Sequence, residues 1–195
     1  MSPIQPGDDP LWSTLAARAP VTAPHDHSRR QAAVLLPLFK NTLDYHMVFT
    51  KRTDTLTHHK GQVSFPGGSF EPSDGDLLTT ALRESYEEIG IRPGDVTILG
   101  RLDDLSTFST SFTISPFVGL IPHPYVFRPN PIEVALVFDV PLSVLNDPAV
   151  GRSYVRTRED GATLIDYEFH VRGHVIWGAT ARIIRHFLSV INGKS

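Results

Sequence analysis

Gly67-Gly68-Ser69-Phe70-Glu71-Pro72-Ser73-Asp74-Gly75-Asp76 runs into Leu77 through Gly90, ending Arg83-Glu84-Ser85-Tyr86-Glu87-Glu88-Ile89-Gly90. The glycines and Pro72 predict a tight turn, and the residues from Leu77 onward predict a helix. Helical residues advance by about 100° each. On that wheel Leu77, Leu78, Ala81, Leu82, Ser85 and Ile89 gather on one arc. Glu84 and Glu88, four apart, stack on one face, and Glu87 lies beside them at the border of the apolar arc. Asp74 or Asp76 suits the helix start, as a cap and as a charge at its positive end.

Like charges at this spacing repel by roughly a few tenths of a kcal/mol on an open helix, and by more where the helix is buried. Arg83 offsets part of the charge. A divalent cation with oxygen ligands, Mg²⁺ or Mn²⁺, offsets more. The alternative from spacing alone is a solvated acidic edge.

The fuller pattern is Gly68, five residues, an acid at Asp74, then Arg83-Glu84, two residues, Glu87-Glu88, one residue, and Gly90-Ile91. It resembles the Nudix box, the signature of enzymes that hydrolyse a nucleoside diphosphate linked to another group. Two departures stand out. The usual box has glutamate where Asp74 lies, with seven residues before the arginine, whereas eight stand here. The usual apolar residue after Arg-Glu is Ser85. The resemblance implies an α/β fold, a Nudix-type α/β/α sandwich with a mixed central sheet.

Whole-chain totals narrow the class. The chain has 195 residues, 41% hydrophobic and 20% charged, as expected of one globular domain with a sizeable core. A net charge of −3 gives no bulk attraction to nucleic acid or anionic membrane, so neither is expected as a partner. The lack of cysteine excludes disulfides, thiolate catalysis and Cys-ligated zinc. No apolar run has the length of a membrane span, and the first residues do not pattern as a secretory signal. A cytoplasmic location is the expectation.

In chain order, residues 1–31 are expected to be a loose or partly helical extension, with a short helix over Leu11 to Arg18. A single domain is expected over residues 32–190, and a tail over 191–195. His25 and His27 read as solvated, and Arg29-Arg30 as surface residues within reach of a phosphate. Ala32 to Phe39 reads as a buried strand, with Pro37 implying an edge or a bulge. Further strands are expected at Tyr45–Lys51, Gln62–Phe65, Val96–Leu102, Ile114–Ile121 and Glu133–Val140. A hairpin is expected from Ser153–Arg158 and Thr163–Val171 around Glu159-Asp160-Gly161. Short and long helices begin near Pro141 and Trp177, the latter with an apolar stripe of Ile176, Ala179, Ile183, Phe187 and Val190. Trp177 and Gly178 read as helix-start packing.

Upstream of the box, Lys51, Arg52, His58, His59 and Lys60 make a dense positive segment suited to a pyrophosphate. Thr50-Lys51-Arg52, Leu56 and His59-Lys60-Gly61-Gln62-Val63-Ser64-Phe65-Pro66-Gly67-Gly68 resemble the extra motif of the coenzyme A pyrophosphatase branch of Nudix hydrolases. Leu102-Asp103-Asp104, Glu133-Val134 and Ile176 to Arg182 extend that likeness. It implies coenzyme A as substrate, cut to 3′,5′-ADP and 4′-phosphopantetheine, with oxidised or acyl forms also plausible. Arg52, His59, Lys60 and Gln62 become substrate-binding candidates. Glu84 and Glu88 become metal ligands, joined by the Gly68 carbonyl, with Glu87 a ligand to a further metal or the holder of a metal-bound water. Arg83 orients the carboxylates and Asp74 supports the loop. The general base is a box glutamate or Glu133, which reads equally well as a strand-end surface residue. The alternatives are a Nudix hydrolase for another nucleotide, such as ADP-ribose, and a ligand-binding Nudix module without catalysis.

Overall fold

Alternation along one apolar strand divides the core into two layers. A computed structural model describes residues 10–24, 26, 28–54, 60–107, 111–157, 161 and 163–193. Its elements are α1 (Pro10–Ala16), β1 (Arg30–Lys40), β2 (Tyr45–Arg52), β3 (Val63–Ser64), β4 (Gly67–Ser69), α2 (Leu77–Ile89), β5 (Thr97–Arg101), β6 (Leu105–Ser106) and β7 (Phe112–Leu120). After them come β8 (Val134–Pro141), α3 (Leu142–Leu145), β9 (Gly151–Thr157), β10 (Thr163–Val171), β11 (His174–Trp177) and α4 (Gly178–Ile191). In β1, Ala33, Leu35 and Phe39 turn to one side, where they meet Ala81 and Ile89 of α2 together with Ile91. Leu36 and Leu38 turn to the other, where they meet Ile183, Ile184 and Phe187 of α4. Strand geometry requires this split, because successive side chains point to opposite faces.

The sheet is mixed. β1 pairs in parallel with β7, Arg30 opposite Phe112 through Leu38 opposite Leu120, and antiparallel with β2 and β4. Strand order runs β3-β2-β1-β7-β5, with β8 on β2 and β6 on β7. β9, β10 and β11 form a separate antiparallel sheet that shares the outer layer with α4. The α/β/α sandwich therefore holds, with a small sheet added beside one helix layer.

Three expectations change. Pro37 lies inside the sheet rather than on an edge strand. The Leu35 N–H bonds the Pro66 carbonyl, so position 37, two residues on, presents its nitrogen to the same side. There it falls between the stretch paired with β4 and the stretch paired with β2, where no ladder donor is required. Gly67-Gly68-Ser69 is not a turn but β4, laid against Ala32–Val34; the turn comes later, at Pro72–Asp74. A Cβ on Gly67 would strike the Ala33 carbonyl, which is why this short strand needs glycine. Trp177 ends β11 and is 48% exposed, so it does not pack the start of α4.

The described residues before β1 are fastened down. Leu15 of α1 is 1% exposed in the α4 layer, and Arg18 reaches Asp103 at 2.6 Å. The Val21 and Ala23 N–H groups donate to Asp103 and Asp104 at 2.6 and 2.9 Å. Arg29 donates to the Thr107 and Phe112 carbonyls, and Arg30 stacks over the Phe112 ring, so both tie down the start of β7. His25, His27, Leu56, His58, His59, Glu159 and Asp160 lie outside the described residues. Among the described residues no helix is long and apolar enough to cross a membrane.

Candidate active site

Helix α2 starts and stops where its sequence dictates. Asp76, not Asp74, caps it, accepting from the Thr79 N–H at 2.7 Å. Gly90 closes it in the left-handed conformation at φ 74°. Its buried face is partly polar: Thr80, Ser85 and Glu88 are buried beside Ala81 and Ile89. Ser85 stands where an apolar residue is usual, and its hydroxyl donates to the Ala81 carbonyl at 2.6 Å, which removes the cost of burying it.

Asp74 grips the helix from outside. Arg83 Nε and Nη2 donate to its two oxygens at 2.7 and 3.1 Å, a two-point pairing. The extra residue between the two positions has not separated them. The Glu71 N–H and the Thr80 hydroxyl also donate to Asp74, at 3.0 and 2.8 Å. The Arg83 hydrogen bonds lead in holding its carboxyl well below the usual aspartate range, against the opposing effect of burial. Arg83 Nη1 then donates to Glu84 at 3.0 Å and to Glu87 at 3.1 Å. One guanidinium thus fixes three carboxylates. Glu87 stays at the rim, its side chain 53% exposed.

Glu88 has a different environment. Burial pushes its carboxyl up to about 8, against the pull of Arg52, and the charges of Glu84 and Glu133 push it the same way. Arg52, at the end of β2, stands 3.6 Å away. Glu88 Oε2 and Arg52 Nε are both buried and, among the described residues, have no hydrogen-bond partner. Burial also raises Glu84. The backbone at Gly68 comes so close to the Glu84 carboxylate that a Cβ there would collide with it. Such crowding of acids around a buried, unpaired oxygen suits a divalent cation. Glu84 and Glu88 would hold it, with Gly68 alongside. Among the described residues no three acidic or histidine side chains form a closed metal cage.

Glu133 enters from the loop before β8, and its charge acts on both Glu84 and Glu88. The loop is pinned to the end of α2: the Arg128 and Asn130 N–H groups donate to the Ile89 and Glu88 carbonyls at 2.9 and 2.8 Å. Asn130 Nδ2 reaches Glu133 Oε1 at 3.5 Å. Thr53 donates its N–H to the Glu133 carbonyl at 2.9 Å, which joins this loop to the residue after Arg52. Sequence reading missed Asn130; Pro129-Asn130-Pro131 signals a turn but says nothing of where it docks. Gln62 lies opposite Arg52, its carbonyl accepting the Arg52 N–H at 2.9 Å. Lys60 is exposed two residues before it. The structure therefore brings Arg52, Arg83, Glu84, Glu88 and Glu133 together, with Gly68 against Glu84 and Glu87 at the rim.

A family model described as NUDIX domain matches residues 29–141. An uncharacterized Nudix hydrolase NudL of Photorhabdus laumondii is 40% identical over 163 residues, covering 80% of this chain and 82% of that protein. A protein of the same name from Yersinia pestis is 37% identical over 172 residues, covering 86% and 85%. Among solved structures, a NUDIX hydrolase from Alicyclobacillus acidocaldarius aligns with a TM-score of 0.53 at 22% identity, over 60% of this chain and 81% of that one. A MutT/nudix family protein from Enterococcus faecalis aligns at 0.58 with 13% identity, over 87% and 65%. At these identities the two structures speak for the fold alone.

Proposed function

The chain belongs to the Nudix hydrolase family and is a pyrophosphohydrolase, and we propose that the compound it cleaves is coenzyme A, giving 3′,5′-ADP and 4′-phosphopantetheine. The observation that carries this reading is the ion pair of Arg52 with Glu88, each with a buried polar atom left unpaired. It couples the segment upstream of the box to the acidic helix, and that segment is the one that resembles the coenzyme A branch.

In this reading Glu84 and Glu88 hold Mg²⁺ or Mn²⁺ from one face of α2, with the Gly68 carbonyl beside them and Glu87 at the outer edge. Such an ion, when bound, shields the diphosphate charge and acidifies water. Arg83, locked by Asp74, keeps Glu84 and Glu87 from recoiling from each other. Arg52 donates its guanidinium to a phosphate oxygen, to which a planar fork is matched. His59, Lys60 and Gln62 add donors along the same segment. Water attacks one phosphorus, the bridging P–O bond breaks, and two phosphomonoesters form. Glu133, held by Asn130, takes the proton from the attacking water.

The test incubates the purified protein with coenzyme A, ADP-ribose, NADH and diadenosine polyphosphates, with Mg²⁺ or Mn²⁺, and reads products by mass. The expected result is 3′,5′-ADP and 4′-phosphopantetheine from coenzyme A. Cleavage of ADP-ribose alone overturns the substrate while leaving the mechanism in place.

A further inference from the structure

Among the described residues β9 pairs only with β10, so the far edge of the small sheet is open. The His170 N–H donates to the Val150 carbonyl at 3.0 Å, in step with the β9–β10 register. Along an antiparallel ladder, hydrogen-bonded pairs alternate with pairs that are not. Arg152, Tyr154 and Arg156 therefore bond to β10, and Ser153, Val155 and Thr157 turn their N–H and C=O groups to the open edge. Among the described residues none of these outward groups has a backbone partner.

The third strand, β11, reaches only residues 168–171 of β10. Residues 153–157 and 163–167 therefore stand as a two-stranded ribbon, a form that is marginal in water on its own. Val155 and Ile165 sit directly opposite each other on one face, 70% and 62% exposed. On the other face Tyr154 lies opposite Asp166, and Asp166 holds Arg156 at 3.3 Å. The charge of Arg156 is thus already answered within the chain.

We propose that β9 pairs antiparallel with β9 of a second copy of this chain, about a two-fold axis through Val155. Val155 then faces its own counterpart and Ser153 faces Thr157. The outward groups make about six hydrogen bonds, two for each facing pair. Two marginal ribbons become four strands. Ile165 and Val155 of both copies line up as one apolar stripe across the join. Charge selects this register. A two-fold axis through Tyr154 would set Arg152 against Arg156, and like charges directly opposite repel. Through Val155, Arg156 instead faces the Tyr154 ring, which suits a guanidinium. Arg152 falls beyond the overlap, opposite Glu168 of its own sheet. A foreign strand would have to supply this match from its own residues, whereas a second copy carries it already. The contact is isologous, the common form between identical chains. Because β10 packs with α4, it leaves the α2 face open whatever diphosphate is cleaved there.

Sedimentation velocity of the full chain, from about 1 μM to about 1 mM, spans the range suited to a small interface. The wild type should pass from monomer to dimer. Val155→Pro removes one outward N–H and leaves the β10 ladder whole. Val155→Lys spares the backbone and sets two charges against each other on the axis. Each should weaken the dimer by about tenfold or more, with the circular dichroism of the wild type kept. The chain has no cysteine, so one introduced thiol reports the register. On oxidation Val155→Cys should give a disulfide-linked dimer, since facing residues lie about 5.5 Å apart at Cα. Ser153→Cys should not, because its counterpart lies across the axis beyond disulfide reach. A wild type that stays monomeric at about 1 mM overturns the pairing, whatever other strand the edge accepts. A dimer untouched by Val155→Lys, or linkage by Ser153→Cys equal to that by Val155→Cys, overturns it as well.

Discussion

The helices α2 and α4 cover opposite faces of one sheet, and they bury different things. The buried residues of α4 are Ala181, Ile183, Ile184, Phe187, Leu188 and Val190, all apolar. Those of α2 are Thr80, Ala81, Ser85, Glu88 and Ile89, more than half of them polar. Phe187 removes a whole ring from water and stabilises the fold by roughly 1.5–3 kcal/mol. Glu88 does the reverse: burial works against its charged form, and its position is held by Ile89 and Ala81 packing beside it. One helix is built for cohesion, and the other carries a buried group that works against it, as expected of the functional site proposed above.

The sharpest way to break that contrast is Glu88→Gln. Turnover should fall by on the order of a thousandfold. Thermal unfolding in EDTA should be unchanged or shifted upward, because burial opposes the charged form of the carboxyl and glutamine is neutral at every pH. Added Mg²⁺ or Mn²⁺ should raise the Tm of the wild type and leave the variant where it was. A variant that unfolds like a core mutant would put Glu88 in the same class as Phe187.

Phe187→Ala should give the mirror image. We expect a loss of about 3–5 kcal/mol in denaturant unfolding, with kcat per folded molecule kept. A selective loss of kcat would mean that the α4 layer reaches into the chemistry.

Asp74→Asn tests a group that belongs to both sides of the comparison, since it braces α2 and orients its acids. Breaking the two-point pairing with Arg83 should cost about 3 kcal/mol and lower kcat. The sign with pH follows from the depressed folded value. Asp74's contribution is complete above the ordinary aspartate value of 3.8 and is lost as pH falls through the folded value. Acid unfolding curves of wild type and variant should therefore converge at low pH. Curves that stay parallel would remove Asp74 as the titrating brace.

The smallest change is Ser85→Ala. Because, among the described residues, the Ser85 hydroxyl bonds only back to its own helix, at the Ala81 carbonyl, stability should move by less than about 1 kcal/mol in chemical denaturation, and kinetics not at all. A larger cost would show that the polar positions of α2 are not interchangeable with packing.

Much of α2 is legible in the amino-acid sequence, because its signals are local. The wheel puts Glu84 and Glu88 together, and Asp76 and Gly90 bound the helix as their types require. The long strands β1, β2 and β7 are equally legible from their apolar runs. What escapes is short or non-local. β4 is three residues with two glycines, and only its pairing with Ala32–Val34 makes it a strand. β11 is four residues defined by its partner β10. The docking of Asn130 on the end of α2 depends on two segments more than forty positions apart meeting in space, and no period in the sequence records it. The Arg52–Glu88 contact is of the same kind: each residue type is expected, but not that both keep an unpaired buried atom.

The Asn130 N–H donates to the backbone carbonyl of the residue whose carboxylate faces Arg52. A single amide proton thus sits one residue's length from the buried Glu88 carboxyl. Its exchange rate with deuterium is a native gauge of the site: slow while the loop stays docked on Glu88, faster when the two part. An ion that settles the Glu88 carboxylate should slow that exchange with no diphosphate present, so assembly of the site can be followed on its own clock, apart from turnover.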